Sequence, residues 1–134
     1  MCLDSVIPID QRICNQYGDS VLDKSCLRTI FATNRGYNNF KVPCKKIGEK
    51  YLVNVEARIF TEDIPFGLCI LKDLSEMLEI SVPNITRAIE WHQKLMNKEY
   101  LLDGMINEAE IENTGIPRRF GFKNIEDFIA YYTI

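Results

Sequence analysis

Apolar positions along this chain recur at steps of three and four far more than at steps of two, the spacing of helices that bury one face. Ile9, Ile13 and Tyr17 open the pattern and Gly18 follows, so a short helix is expected over Ile9–Tyr17. Asp19 or Ser20 suits the N-cap of a second helix from about Ser20 to Asn34, with Val21, Leu22, Leu27, Ile30 and Phe31 along one face. From Tyr37 to Ala57 the pattern loosens. Asn38, Asn39, Pro43 and Gly48 read there as a long connection holding an extended piece at Tyr51–Val55.

A further helix is expected to start near Pro65, whose missing N–H is harmless in a first turn. Its buried stripe would be Phe66, Ile70, Leu74, Met77 and Leu78, with Lys72, Asp73, Glu76 and Glu79 outward. Ser81-Val82-Pro83 repeats the start signal for a helix through about Asn97, in which Ile85, Ile89, His92 or Gln93, and Met96 follow steps of three and four. The helices beginning at Pro65 and Pro83 are expected to pack together. A second irregular stretch, Glu99 to Lys123, precedes a terminal helix over Ile125–Tyr132, capped by Asn124 with Asp127 in its first turn. The fold class that follows is all-α, a multi-helix bundle.

Composition adds bounds. At 134 residues, 46% apolar and 26% charged, the chain has the size and make-up of a single globular domain, residues 1–134. A net charge of −3 argues against a nucleic-acid partner, since the basic pairs Lys45-Lys46 and Arg118-Arg119 stand isolated. No window approaches the roughly 20 apolar residues of a membrane span. The start MCLDSVIPID lacks the basic-then-apolar order of a signal peptide, so a cytoplasmic location and no membrane partner are expected. Five cysteines, Cys2, Cys14, Cys26, Cys44 and Cys69, are odd in number and form no C-x-x-C, which predicts reduced thiols and no zinc site. The single histidine, His92, lies mid-helix in EWHQKL and is expected to be a partly buried structural residue.

Charge crowds into one place, ARIFTEDIPFGL at Ala57–Leu68. At helical spacing Arg58 and Glu62 can pair, and Asp63 stands just ahead of a helix start. Spacing alone reads this as a surface ion pair plus a carboxylate complementing a helix dipole.

The run RIFTEDIPFGL, followed by LKDLSEMLEISVPNITRAIEW and NKEYLLDG, resembles the C-terminal helical domain of the octopine/nopaline (opine) dehydrogenases, a phosphogluconate dehydrogenase C-terminal-like fold. The resemblance spans most of residues 7 to 103, and Arg-to-Glu-Asp-Ile-Pro-Phe-Gly-Leu is its most specific part. It weakens beyond Gly104. Members of the family condense an amino acid with a 2-oxo acid reductively, using NADH or NADPH. The resemblance implies that Arg58 binds a substrate carboxylate and that Asp63 is the catalytic partner of a histidine, while Glu62, Pro65 and Gly67 shape the helix entry. That histidine is expected upstream of Met1, and His92 does not replace it. No G-x-G-x-x-G follows a strand, so NAD or NADP is expected on a Rossmann-type domain or subunit that this chain lacks.

Two readings follow. One is part of an opine dehydrogenase, inactive alone and completed by that nucleotide-binding partner, with homo-oligomers allowed. The other is a non-catalytic interaction or dimerisation module derived from the family.

Overall fold

The computed structural model describes residues 6–133, which fall into two compact units, one ending at Val42 and one beginning at Pro43. In the first unit, helix α1 spans Ile9–Tyr17 and stops at Gly18, whose φ of 53° suits a residue without a Cβ. Helix α2 spans only Leu27–Thr33, much shorter than the sequence pattern predicts. The reason is local competition: Asp23 Oδ1 takes the Ser25 N–H at 2.8 Å, and Thr33 Oγ1 takes that of Asp23 at 2.9 Å. Those bonds satisfy the backbone outside a helix, so the chain enters helical geometry only at Cys26, where Thr29 completes a capping box. Ile13, Val21 and Ile30 form the core of this unit, with Cys14 and Tyr17 against it.

The second unit opens with a hairpin that periodicity only half revealed. Strands β1 (Cys44–Ile47) and β2 (Lys50–Val53) pair antiparallel through a two-residue turn containing Gly48 at φ 60°. Helix α3 (Arg58–Thr61) follows and leads through a π-type turn, Ile64–Leu68, into α4 (Cys69–Met77). The helical path therefore begins before Pro65 and runs over it. Helix α5 (Pro83–Met96) starts at its proline and ends at Asn97 in the left-handed conformation. A small hairpin, β3 (Leu101–Leu102) with β4 (Met105–Ile106), is pinned to α5 by the Gln93 amide, which donates to Leu101 O at 3.0 Å and accepts its N–H at 2.8 Å. Helix α6 (Ile125–Tyr132) takes the expected cap, with Asn124 Oδ1 accepting the Asp127 N–H at 2.8 Å.

Helices α4 and α5 do pack together. Ile64, Cys69, Ile89, Tyr100, Leu101, Ile106 and Ile116 make the core of this unit. Burial of each large side chain there contributes about 1.5–3 kcal/mol before conformational entropy is set against it. The α4 stripe departs from expectation. Phe66 and Leu78 are 51% and 47% exposed, whereas Lys72 and Asp73 are buried. A helix-period pattern assigns charge to solvent; here Arg118, distant in sequence, neutralises that face and lets it turn inward.

Among the described residues Cys14, Cys26, Cys44 and Cys69 are unpaired thiols, and burial pushes that of Cys69 up to about 12. Cys2 lies outside the described residues. No described helix is long and apolar enough to cross a membrane. His92 is half-buried, its Nδ1 2.7 Å from Ala88 O and its ring 5.3 Å from that of Phe60.

Candidate functional site

Arg58 is the first residue of α3 and Asp63 lies just beyond its end. Glu62 donates its N–H to Arg58 O at 2.8 Å, and Phe66 donates to Glu62 O at 2.9 Å, so the backbone runs helically from the arginine past the aspartate. At Pro65 no N–H is available to continue the ladder. The path widens there by one residue: Leu68 donates to Asp63 O at 2.9 Å, and Cys69 to Ile64 O. Such π-type turns occur mostly as single insertions in helices, often at functional sites. Ile64 and Pro65 point inward and fix the turn against the core, which leaves Asp63 at the surface.

The guanidinium of Arg58 is held by Glu62 in a two-point grip, Nε to Oε1 at 2.8 Å and Nη2 to Oε2 at 2.7 Å. Its side chain is 85% exposed. Hydrogen bonds to Glu62, then that residue's charge, hold Arg58 above its ordinary range, with a smaller contribution from the Asp63 carboxylate. Conversely, Arg58 holds Glu62 below the usual carboxylate range, through its hydrogen bonds more than its charge. Glu62 occupies only one edge of the fork. Nη1 makes no hydrogen bond among the described residues, so three N–H donors, two on Nη1 and one on Nη2, remain for another carboxylate. Asp63 is exposed, and its carboxylate accepts no hydrogen bond among the described residues.

Residues 1–96 match the family described as NAD/NADP octopine/nopaline dehydrogenase, alpha-helical domain. The chain belongs to the octopine/nopaline dehydrogenase family. Tauropine dehydrogenase of Arabella iricolor is 38% identical to it over 128 residues, covering 95% of this chain and 32% of its own length. Octopine dehydrogenase of Pecten maximus is 28% identical over 96% of the chain and 32% of its own. A solved octopine dehydrogenase with NADH and L-arginine superposes with a TM-score of 0.86 at 28% identity, over 95% of this chain and 32% of that one. Another, with NADH and agmatine, gives 0.86 at 27% identity. The chain spans about a third of the length of the relatives it matches. Its helical architecture is that of the octopine dehydrogenase helical domain.

Sequence reading overlooked a second charged group in this unit. Arg118 donates from Nη2 to Glu76 Oε2 at 2.9 Å, and its Nε lies 2.9 Å from Asp73 Oδ1, near enough to pair the charges although not aimed as a hydrogen bond. The Arg118 backbone N–H reaches Asp73 Oδ2 at 3.2 Å. Lys72 Nζ lies 3.2 Å from Glu76 Oε1, which also accepts the Ile106 N–H at 3.0 Å. Asp73 is fully buried, and that burial raises its carboxyl above the ordinary range against the lowering effect of Arg118. The Lys72 and Glu76 spacing was legible as an i,i+4 pair, but nothing local announces a partner 42 residues away.

Proposed function

We propose that this chain is the helical part of an NAD(P)-dependent opine dehydrogenase in which Arg58 anchors a substrate carboxylate and Asp63 assists proton transfer through a histidine on another part of the enzyme. The observation that carries the reading is the free edge of an exposed, permanently charged guanidinium five positions before an exposed aspartate. Glu62 acts as a model of the substrate: its carboxylate already lies flat against the fork. A substrate carboxylate takes the open Nη1 edge or displaces Glu62, and either route orients an amino acid or a 2-oxo acid for condensation. Asp63, beside a histidine, would fix the ring's orientation and favour its protonated form.

NADH or NADPH, when bound, supplies the hydride. The sequence holds no dinucleotide fingerprint, so the cofactor is assigned to a Rossmann-type domain or subunit, consistent with relatives about three times as long. Octopine dehydrogenase binds L-arginine or agmatine alongside NADH, which supports an amino-acid-like substrate class here.

The test joins this chain to the nucleotide-binding part of its enzyme and follows NAD(P)H oxidation with amino acids and 2-oxo acids. Arg58→Gln is expected to raise KM for the carboxylate substrate with little change in kcat. Asp63→Asn is expected to lower kcat by about 10²–10⁴, the range for acid–base assistance. An assembled pair with no condensation activity would sink the reading and leave the non-catalytic module in its place.

A further inference from the structure

The wide turn after Asp63 is held from outside its own helix. Gly115 donates its N–H to Pro65 O at 3.1 Å. Its bare Cα sits so close that an added Cβ would lie 2.8 Å from Phe66 Cδ1 and 3.2 Å from Ile70 Cδ1. One residue on, Ile116 is wholly buried in the core, and Pro117 begins a short 3₁₀ turn, Pro117–Phe120. Arg118 then closes onto α4 through Asp73 and Glu76. The stretch from Gly115 to Arg118 is therefore a staple: one end rests on the proline of the π-type turn, the other on α4.

Two cations and two anions make the α4 cluster neutral, and Arg118 is the member that comes from elsewhere in the chain. Its planar fork reaches both carboxylates at once in a fixed geometry, which the point charge of a lysine ammonium does not reproduce. What the staple resists follows from helix geometry. Absorbing the extra residue into a regular helix would rotate the upstream segment by about 100° relative to α4, since one turn holds 3.6 residues. Arg58 and Asp63 lie in that upstream segment.

We propose that Arg118 is a positioning residue: clamped by Asp73 and Glu76, it holds Gly115 on Pro65 and so fixes the widened turn that sets the direction of Asp63 and Arg58. The inference rests on the reading of those two residues as a substrate and proton-handling pair. It makes the stretch beyond residue 104 part of the site without touching substrate.

Amide hydrogen exchange on the chain, resolved by residue, tests it. Leu68 and Cys69 report the turn, because their N–H groups bond to Asp63 and Ile64. Leu101, bonded to Gln93, reports the core. Arg118→Lys is expected to speed exchange at Leu68 and Cys69 by about tenfold while Leu101 is unchanged, the mark of a local opening. Asp73→Asn, which loosens the clamp on Arg118 and leaves Gly115 untouched, is expected to do the same and decides the matter if Arg118→Lys fails to fold. Equal acceleration at all three amides, or none at the turn, would overturn the proposal. Exchange needs no substrate, so this result stands apart from the fate of Arg58→Gln in the condensation assay.

Discussion

Arg58 and Arg118 both grip a glutamate, yet the Arg58 side chain is 85% exposed, and Arg118 is 28% exposed over partners at 0% and 5%. Water decides what each contact does. Around Arg58 and Glu62 solvent screens the pair, and holding two long side chains in one geometry costs about as much as the attraction returns. Such an arginine is easily lent to another carboxylate. Around Asp73 and Glu76 the solvent has been removed, so each of these charges depends on the half-buried Arg118 to remain where it is. That arrangement specifies where the Gly115–Phe120 stretch sits more than it adds stability, because an apolar cluster of the same shape would serve stability as well.

The largest way to break the contrast is Arg118→Met. Leaving Asp73 without a cation, and Glu76 with Lys72 alone, is expected to lower unfolding free energy by about 3–5 kcal/mol, towards the lower end because Asp73 can take up a proton. Replacing Asp73, Glu76, Lys72 and Arg118 together with apolar residues of similar volume should lose far less. Urea unfolding of both variants checks the pair. A quadruple variant less stable than Arg118→Met would show that the cluster stabilises outright.

The two regions should also titrate in opposite senses. Asp73 has a folded-state pKa above its ordinary 3.8 because it is buried, so its contribution favours folding below that value and is lost as pH rises through the folded pKa. Glu62 has a folded-state pKa below its ordinary 4.5 because of Arg58, so its contribution is present above that value and is lost as pH falls through the folded pKa. Carboxyl NMR titrations should find Asp73 titrating above the ordinary range and Glu62 below it. Raising salt from 0.1 to 1 M, which shortens the screening length from about 10 to about 3 Å, should return Glu62 towards its ordinary value and leave Asp73 where it is.

Smallest of all should be the effect of Arg58→Gln on stability. Its melting midpoint is expected to match that of the unaltered chain, since an exposed pair has little to lose. A clear drop in a thermal scan would mean that Arg58 is part of the frame and not a group held ready for a ligand.

Several elements were readable because their signals are local. Ile9–Tyr17 with its glycine stop, the proline start and asparagine stop of α5, and the Asn124 cap of α6 each depend on residues within a few positions. The second helix was overestimated because Asp23 and Thr33 spend their hydrogen bonds on the backbone outside the helix, a choice that apolar spacing does not record. The β1 strand escaped because CKKI has no clean alternation, and the exposed pairing with KYLV supplies its order. At the candidate site, the Arg58 and Glu62 contact follows from i,i+4 spacing. The widened turn does not. Pro65 announces a helix start, and only the core contacts of Ile64 with the backbone bond from Gly115 show that a helix already under way passes over it.

Sequence by itself thus determined the helical class, most helix ends and the exposed arginine, which follow from short-range spacing, and the family, which follows from resemblance to its helical domain. Tertiary structure alone decided which face of α4 is buried. Hydrophobic periodicity assumes that a charge belongs in water, and that holds until an opposite charge arrives to meet it. Arg118 arrives from 45 residues beyond Asp73, and no local rule can foresee that.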